Sequence, residues 1–200
     1  FNKSVAEEAQ RHFPRNVECR TINSVAWKHV GGFRYKTDAS WNFTCTTKYV
    51  RYVDAKDVSD TMNRYWNSRD EDMTEKHIKT LIDPLSEWVL QGARLAWARM
   101  KVLPKNLPSS QRLQMSHSGL LKLFQLAQKR CPTLKSEYDV IMLDEAQDSN
   151  DCIANVVTRQ AANGCGVILV GDPHQMIYGF RGARDQITNT RGTKTLNLTQ

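Results

Sequence analysis

Two short aliphatic runs, at 140–143 and 167–170, constrain the fold of this chain more than any other feature. Neither run alternates apolar with polar side chains, and a run of this kind is typical of a strand buried on both faces of a parallel sheet. The first run leads directly into Asp144-Glu145 and the second into Gly171-Asp172. The sequence therefore predicts two buried strands that each end in carboxylates.

The segment between the two runs has the length and the end signals of a helix. It spans about 151–162 and ends at Asn163-Gly164, a pair typical of a helix C-terminus. A strand, a helix and a second strand in this order predict a β-α-β unit. Because ligands of open α/β sheets gather outside the carboxyl ends of the strands, the acidic residues lie where a ligand is expected.

The acidic pair after the first run suits the hydrolysis of a nucleotide. Asp144 is placed to hold Mg²⁺ directly or through water, and Glu145 to orient or deprotonate the attacking water. Gln175 lies shortly after Asp172, and glutamines in such sites often position water beside the γ-phosphate. Helix capping or solvation also accounts for two acids after a strand, so the pair alone leaves both interpretations open.

The composition favours a polyanionic partner and argues against a membrane. The 200-residue chain has a formal net charge of +7 and a pI near 9.2, a balance that suits contact with nucleic acid. Its five cysteines form no C-x-x-C pair and have no histidine at zinc-ligand spacing, which indicates reduced thiols. No apolar stretch has the length of a membrane span. These features predict an intracellular protein.

Longer strings resemble one family. DEAQD at 144–148 and GDPHQMIYGFRGA at 171–183 resemble motifs II and III of superfamily 1 DNA helicases of the UvrD/Rep type. FNKSVAEEAQRHFP, TINSVAWKHVGG and MSHSGLLKLFQLAQ narrow the resemblance to the F-box DNA helicase branch. The resemblance implies an α/β fold with a RecA-like parallel sheet core of the P-loop NTPase type, the first motor domain, and a mostly helical inserted subdomain. It also implies ATP as substrate, Mg²⁺ as cofactor, catalytic roles for Glu145 and Gln175, and ATP contacts from Asp172 and Gln175.

The N-terminal segment resembles motif Ia of these helicases. In FNKSVAEEA, this motif assigns Asn2 and Lys3 to the single DNA strand. The residues that follow have helical apolar spacing, and Ser4 is the predicted N-cap.

A second motif follows a predicted short strand at 17–21. The segment beginning at Thr21 resembles motif Ib, usually written T-x-H-S, so the family pattern assigns Thr21 and Ser24 to DNA. Asn23 stands where the pattern has histidine, and asparagine still donates and accepts hydrogen bonds but carries no charge.

Aromatic residues follow Gln175 and resemble the stacking residues of motif III. The resemblance assigns Tyr178 and Phe180 to the bases of the single strand, and stacking tolerates any base, as a translocating enzyme requires. The competing interpretation makes both rings core residues of a turn, which the flanking glycines oppose. Arg181 is assigned to a DNA phosphate, and Asp148 is the alternative partner for its guanidinium.

The middle of the chain has no pattern typical of strands. Its sequence predicts helices at 48–67 and 75–100, and the second helix is expected to bend or break near Pro84. Its position matches the helical insertion 1B of the family. We therefore predict a RecA-like core 1A at 1–33 and 107–200, and insertion 1B at 34–106. Trp66, Trp88 and Trp97 are interpreted as a small helical core, with base stacking as the alternative.

The chain contains no G-x-x-x-x-G-K-[ST] phosphate loop. In the family this loop precedes motif Ia and further arginines come from a second RecA-like domain. The resemblance therefore implies a fragment that ends just before motif IV and does not hydrolyse ATP alone.

The predicted function is part of an ATP-dependent DNA helicase that moves 3′ to 5′ on single strands and unwinds single-strand/duplex junctions, in recombination or repair. The F-box branch implies a nuclear protein with F-box-type protein partners for the full-length chain. Two alternatives stay open, a catalytically inactive single-stranded nucleic-acid-binding module derived from a helicase and a nuclease-fused helicase of the same superfamily.

Overall fold

A computed structural model describes residues 3–35, 52–79, 85–106, 108, 113–130, 133–176, 186–190, 192 and 194–197. The helices in these ranges are α1 (Lys3–His12), α2 (Ile22–Val30), α3 (Tyr52–Asn67), α4 (Leu85–Lys101), α5 (His117–Arg130), α6 (Thr133–Glu137), α7 (Asp151–Ala162) and α8 (Gln186–Asn189). The strands are β1 (Val140–Leu143) and β2 (Gly166–Leu169). None of the described helices combines the length and apolarity needed to cross a bilayer.

The predicted β-α-β unit is confirmed. β1 and β2 pair in parallel, with Val140 opposite Gly166 and Leu143 opposite Leu169, and α7 connects them. The Asn150 side chain caps α7 by accepting a hydrogen bond from the Ile153 N–H at 2.9 Å. The helix ends at Ala162 as the sequence predicts.

The two faces of the sheet differ in exposure. Ile141 packs against a buried cluster that includes Phe124 and Val156. On the opposite face, Val140 is 52% exposed and Met142 is 50% exposed. The prediction of burial on both faces is therefore wrong for the described residues, because α5 and α7 cover one face while the other lines an open cleft.

The start of α1 differs from the prediction. The helix begins at Lys3, so Ser4 lies inside the first turn and its assignment as N-cap is wrong. An ion pair between Lys3 and Glu7, at 3.5 Å, spans this turn and supports the additional helical residue.

The segment 17–21 is not a strand in the structure. Instead, Gln10 of α1 occupies the backbone groups that a neighbouring strand would bind. Its Nε2 donates to the Val17 carbonyl at 2.8 Å, and its Oε1 accepts from the Cys19 N–H at 2.8 Å. The predicted strand is absent because one glutamine side chain takes the place of a ladder partner.

The middle of the chain builds a helical core around α3 and α4. Trp66 and Trp97 are buried, with ring centroids 5.9 Å apart, so the core interpretation holds for these two residues. It is wrong for Trp88, which is 75% exposed, because Trp88 lies on the outer face of α4. Of the predicted helix at 75–100, only a short 3-10 turn and the part within α4 are helical among the described residues.

Helix α5 joins the two halves of the structure. It packs against α2, α3 and α7. This burial includes polar side chains: Lys122 is 0% exposed, and Gln125 and Gln128 are also buried.

A turn at 67–71, which begins at the last residue of α3, is bonded to the core mainly through these polar side chains. Lys122 Nζ donates to the Ser68 carbonyl at 3.0 Å and to the Asp70 carbonyl. Gln125 Nε2 donates to the Arg69 carbonyl at 2.8 Å. Asn150 Nδ2 donates to Asn67 Oδ1 at 2.7 Å. The turn belongs to the predicted insertion, and the partners belong to the predicted core; the domain borders themselves stay a prediction.

Candidate active site

The candidate active site lies where the two strands end. Two backbone hydrogen bonds continue beyond the strand pair, from Val170 N to Leu143 O and from Ala146 N to Val170 O, each 2.9 Å. The acidic loop after β1 and the loop after β2 are therefore joined at one edge of the sheet. This is the arrangement that the sequence predicts for a ligand site.

Asp144 and Glu145 are both exposed at this edge. Asp144 Oδ1 accepts a hydrogen bond from the Glu145 N–H at 3.0 Å, which fixes one carboxylate oxygen. Glu145 has φ of 52° and ψ of 44°, and it is the one non-glycine residue with positive φ among the described residues. A left-handed conformation costs a non-glycine residue about 1–2 kcal/mol, and such strain concentrates at functional sites. The positive φ therefore makes Glu145 a candidate functional residue.

Gln147 links the two loops, and our sequence interpretation assigned it no role. Its side chain is buried, with 1% exposure, although Glu145 two residues earlier is exposed. Nε2 donates to Glu145 Oε2 at 2.6 Å, and Oε1 accepts from the Asp172 N–H at 3.1 Å. Its position inside the DEAQD string was the available signal, but burial of a glutamine there does not follow from periodicity.

The loop after β2 is organised by Asp172. Its Oδ1 accepts from the His174 N–H at 2.9 Å, and its Oδ2 accepts from Gln175 Nε2 at 2.9 Å. The His174 N–H and then the Gln175 amide hold the pKa of the Asp172 carboxyl below its usual value. The predicted ATP contacts Asp172 and Gln175 are therefore bonded to each other and lie on an exposed turn beside the acidic pair.

The donor set fits a magnesium ion better than a metal with a full protein cage. Among the described residues, no three His, Cys, Asp or Glu side chains form a cluster that holds a metal. Mg²⁺ is commonly held by one or two carboxylates, with waters and substrate phosphates as the other ligands. The exposed Asp144 carboxylate at the sheet edge supplies such a ligand.

The predicted DNA contacts are described only in part. Lys3 is 87% exposed in the first turn of α1. Thr21 caps α2 by accepting from the Ser24 N–H at 3.2 Å, and Ser24 Oγ donates to the Thr21 carbonyl at 2.8 Å. These two hydroxyls therefore have a structural role, whatever else they contact. Asn2, Tyr178, Phe180 and Arg181 lie outside the described residues.

A cleft of about 2360 Å³ brings the N-terminal segment near the acidic loop. Its lining includes Thr21, Met142 and Asp144, together with Asn67 and Arg64 from α3. Thr21 and Asp144 therefore share a cleft, whereas Ser24 lines a separate small cavity of about 200 Å³.

The chain is similar in sequence to one family of proteins over most of its length. The family model described as the UvrD/REP helicase N-terminal domain matches residues 11–194. F-box DNA helicase 1 from Gallus gallus is 35% identical to this chain; the match covers all of this chain and 21% of the relative. F-box DNA helicase protein 1 from Schizosaccharomyces pombe is 28% identical; the match covers all of this chain and 25% of the relative. ATP-dependent DNA helicase PcrA from Leuconostoc citreum is 35% identical over 32% of this chain and 8% of the relative.

The chain spans about a fifth to a quarter of the length of the two F-box relatives. Their similarity over the whole chain confirms the resemblance that the N-terminal and central segments predict. The family implies a RecA-like P-loop fold, with which the parallel pair of β1 and β2 is consistent. Because the family match covers most of its residues, this chain belongs to the UvrD/REP helicase N-terminal domain family.

Proposed function

We propose that this chain is part of an ATP-dependent DNA helicase and contributes the acidic half of its nucleotide site. One observation supports the proposal above the others. Asp144 and Glu145 follow β1, Asp172 and Gln175 follow β2, and hydrogen bonds join the two loops at one sheet edge. Phosphoryl transfer needs charge neutralisation and an oriented water at one place, and this edge offers groups for both.

Each residue has a distinct role in this proposal. Asp144 would hold Mg²⁺, which when bound neutralises charge on the nucleotide phosphates. Glu145 would accept a proton from the attacking water as general base. Gln175 would face the γ-phosphate, with its amide oriented by Asp172.

The DNA side of the proposal is supported by the family match and by the basic charge of the chain. Lys3, Thr21 and Ser24, with Asn2, Tyr178, Phe180 and Arg181, are proposed to contact a single strand. The net charge of +7 favours such a partner. We also propose 3′ to 5′ movement, action at single-strand/duplex junctions, a nuclear location and F-box-type partners, supported by similarity to proteins named F-box DNA helicases. We propose a role in recombination or repair as well, on the basis of membership of this helicase family.

The test is Glu145→Gln in the full-length protein, assayed for DNA-stimulated ATP hydrolysis. Removal of a positioned general base should lower kcat by about 10²–10⁴-fold while ATP binding persists. Asp144→Ala should lower hydrolysis as well, and raising the Mg²⁺ concentration should recover part of it.

Asp139→Asn is a matched control, because Asp139 is an exposed acid at the opposite end of β1. It should hydrolyse ATP at the parental rate. A parental rate for Glu145→Gln would remove the catalytic assignment. DNA binding by the parental protein without any ATP turnover would identify a binding module instead.

A further inference from the structure

The amide of Gln147 occupies a buried position between two exposed functional loops. Both ends of the amide are bonded, to Glu145 Oε2 at 2.6 Å and to the Asp172 N–H at 3.1 Å. We propose that Gln147 is a positioning residue that orients the Glu145 carboxylate and sets its place relative to the loop carrying Asp172 and Gln175. The inference rests on the proposed function of Glu145 as general base.

The contact with Glu145 restricts a side chain that would otherwise be free. Glu145 is exposed, and its long side chain has several rotamers of similar energy in water. The Gln147 N–H bond fixes Oε2, and among the described residues Oε1 accepts no hydrogen bond. The carboxylate is thereby held with one oxygen directed at a partner and the other available to water. Pre-orientation of this kind is how an enzyme avoids reorganisation during the reaction.

A continuous series of hydrogen bonds connects the proposed phosphate sensor with the proposed base. Gln175 Nε2 donates to Asp172 Oδ2 at 2.9 Å, and the Asp172 N–H donates to Gln147 Oε1 at 3.1 Å. Gln147 Nε2 then donates to the carboxylate of Glu145. A shift of the loop after β2 therefore displaces the group that orients Glu145.

Gly171 makes this close approach possible. A Cβ atom at position 171 would lie 2.0 Å from Gln147 Oε1 and 3.0 Å from both the Ala146 nitrogen and Ile187 Cδ1. An alanine there would force the Gln147 carbonyl out of its hydrogen bond to Asp172. The two loops thus fit together only with glycine at 171 and the glutamine amide in its present position.

The test compares Gln147→Leu with Gln160→Leu in the full-length protein. Gln160 is also fully buried, but its Nε2 bonds to the Val156 carbonyl at 3.0 Å within α7, away from the site. Gln147→Leu should lower kcat for ATP about 10–100-fold with little change in KM, whereas Gln160→Leu should retain the parental kcat in its folded fraction. Equal losses in both variants would indicate a structural role and overturn the proposal.

A second variant separates the two contacts of the amide. Gln147→Glu keeps the volume of the side chain and an oxygen that can accept from the Asp172 N–H, but it removes the N–H that donates to Glu145. Its kcat should fall about as far as that of Gln147→Leu, with little change in KM. A parental kcat in Gln147→Glu would overturn the proposal.

Hydrogen exchange provides a readout without ATP. The Asp172 amide is protected by Gln147 Oε1, so a peptide covering 171–176 should exchange about tenfold faster in Gln147→Leu and in Gly171→Ala. It should exchange at the parental rate in Gln160→Leu. If Glu145→Gln abolishes hydrolysis while Gln147→Leu keeps parental kcat and exchange, this inference alone fails. A parental rate in Glu145→Gln would instead remove the proposed function, and the positioning role with it.

Discussion

Replacement of Lys122 by methionine should reduce the pH dependence of the free energy of unfolding. Lys122 is 0% exposed, its Nζ lies 4.4 Å from the centroid of the Tyr65 ring, and it donates to two carbonyls of the turn at 67–71. Burial lowers the pKa of its amine from 10.5 to about 8, although the carboxylates of Asp70 and Glu71 nearby act in the opposite direction. A pKa shift of this size means that burying the charged amine reduces the free energy of unfolding by about 3 kcal/mol.

The direction of this pH dependence follows from the number of protons that the folded and unfolded chains bind. Below the folded pKa, both states bind the proton and the full cost of about 3 kcal/mol is present. As pH rises from about 8 towards 10.5, the folded chain releases the proton before the unfolded chain does, so this cost is removed and stability increases. Burial raises the pKa of Cys152 to about 12 and also raises the pKa of Tyr65, so neither group titrates in this window.

The assay is urea unfolding of the chain and of Lys122→Met at about pH 7 and about pH 9.5, where the parental chain should gain about 2 kcal/mol relative to the variant. The carbonyls left without a donor cost the same at each pH and cancel in this comparison. Lys105→Met is the control, because Lys105 is exposed, and its difference from the parental chain should not change with pH. A difference for Lys122→Met that is also independent of pH would refute the buried, shifted amine.

Two further predictions concern stability. Asn150→Ala should destabilise the chain by about 1–2 kcal/mol in chemical unfolding, since it removes the cap of α7 and the hydrogen bond to Asn67. Asn150→Asp keeps the capping oxygen but loses the N–H donor, so it should destabilise the chain less. Equal losses in the two variants would assign the whole effect to the hydrogen bond with Asn67. Trp66→Ala should cost about 3–5 kcal/mol because the ring is buried, whereas Trp88→Ala on the exposed face of α4 should lie within about 0.5 kcal/mol of the parental chain, as thermal unfolding can measure. A large loss for Trp88→Ala would contradict its exposure.

The part of the fold that depends on local pattern was predictable from the sequence. The aliphatic runs, the helix between them and the Asn-Gly end signal predicted β1, α7 and β2 nearly to the residue. The segment 17–21 has a pattern suited to a strand, but a strand exists only with a partner, and Gln10 takes that place. The prediction that both faces of the sheet are buried was wrong for a related reason. The helices that cover a sheet face can come from distant parts of the sequence, so a strand's own pattern does not show whether they are present.

The polar residues of the site were predictable from the sequence only where the residue type itself indicates a chemical role. Acids after a strand pointed to Asp144 and Glu145, but a glutamine carries no such signal, and Gln147 became visible through its two hydrogen bonds. Periodicity likewise gave no sign that a lysine would be buried in α5. Buried polar groups are determined by partners across the structure, here the carbonyls of the turn at 67–71.

The hydrogen bonds of the turn at 67–71 bear on whether the predicted insertion can be separated from the predicted core. The sequence predicts a core and an insertion, but Lys122, Gln125 and Asn150 donate hydrogen bonds across the predicted border. Excision of the insertion would remove the carbonyls that accept from Lys122 and Gln125 and the amide oxygen that accepts from Asn150, and each lost hydrogen bond should cost about 0.5–3 kcal/mol. The two parts should therefore unfold in one transition. Exchange of this insertion between related proteins succeeds only when the turn and the facing surfaces of α5 and α7 are transferred together.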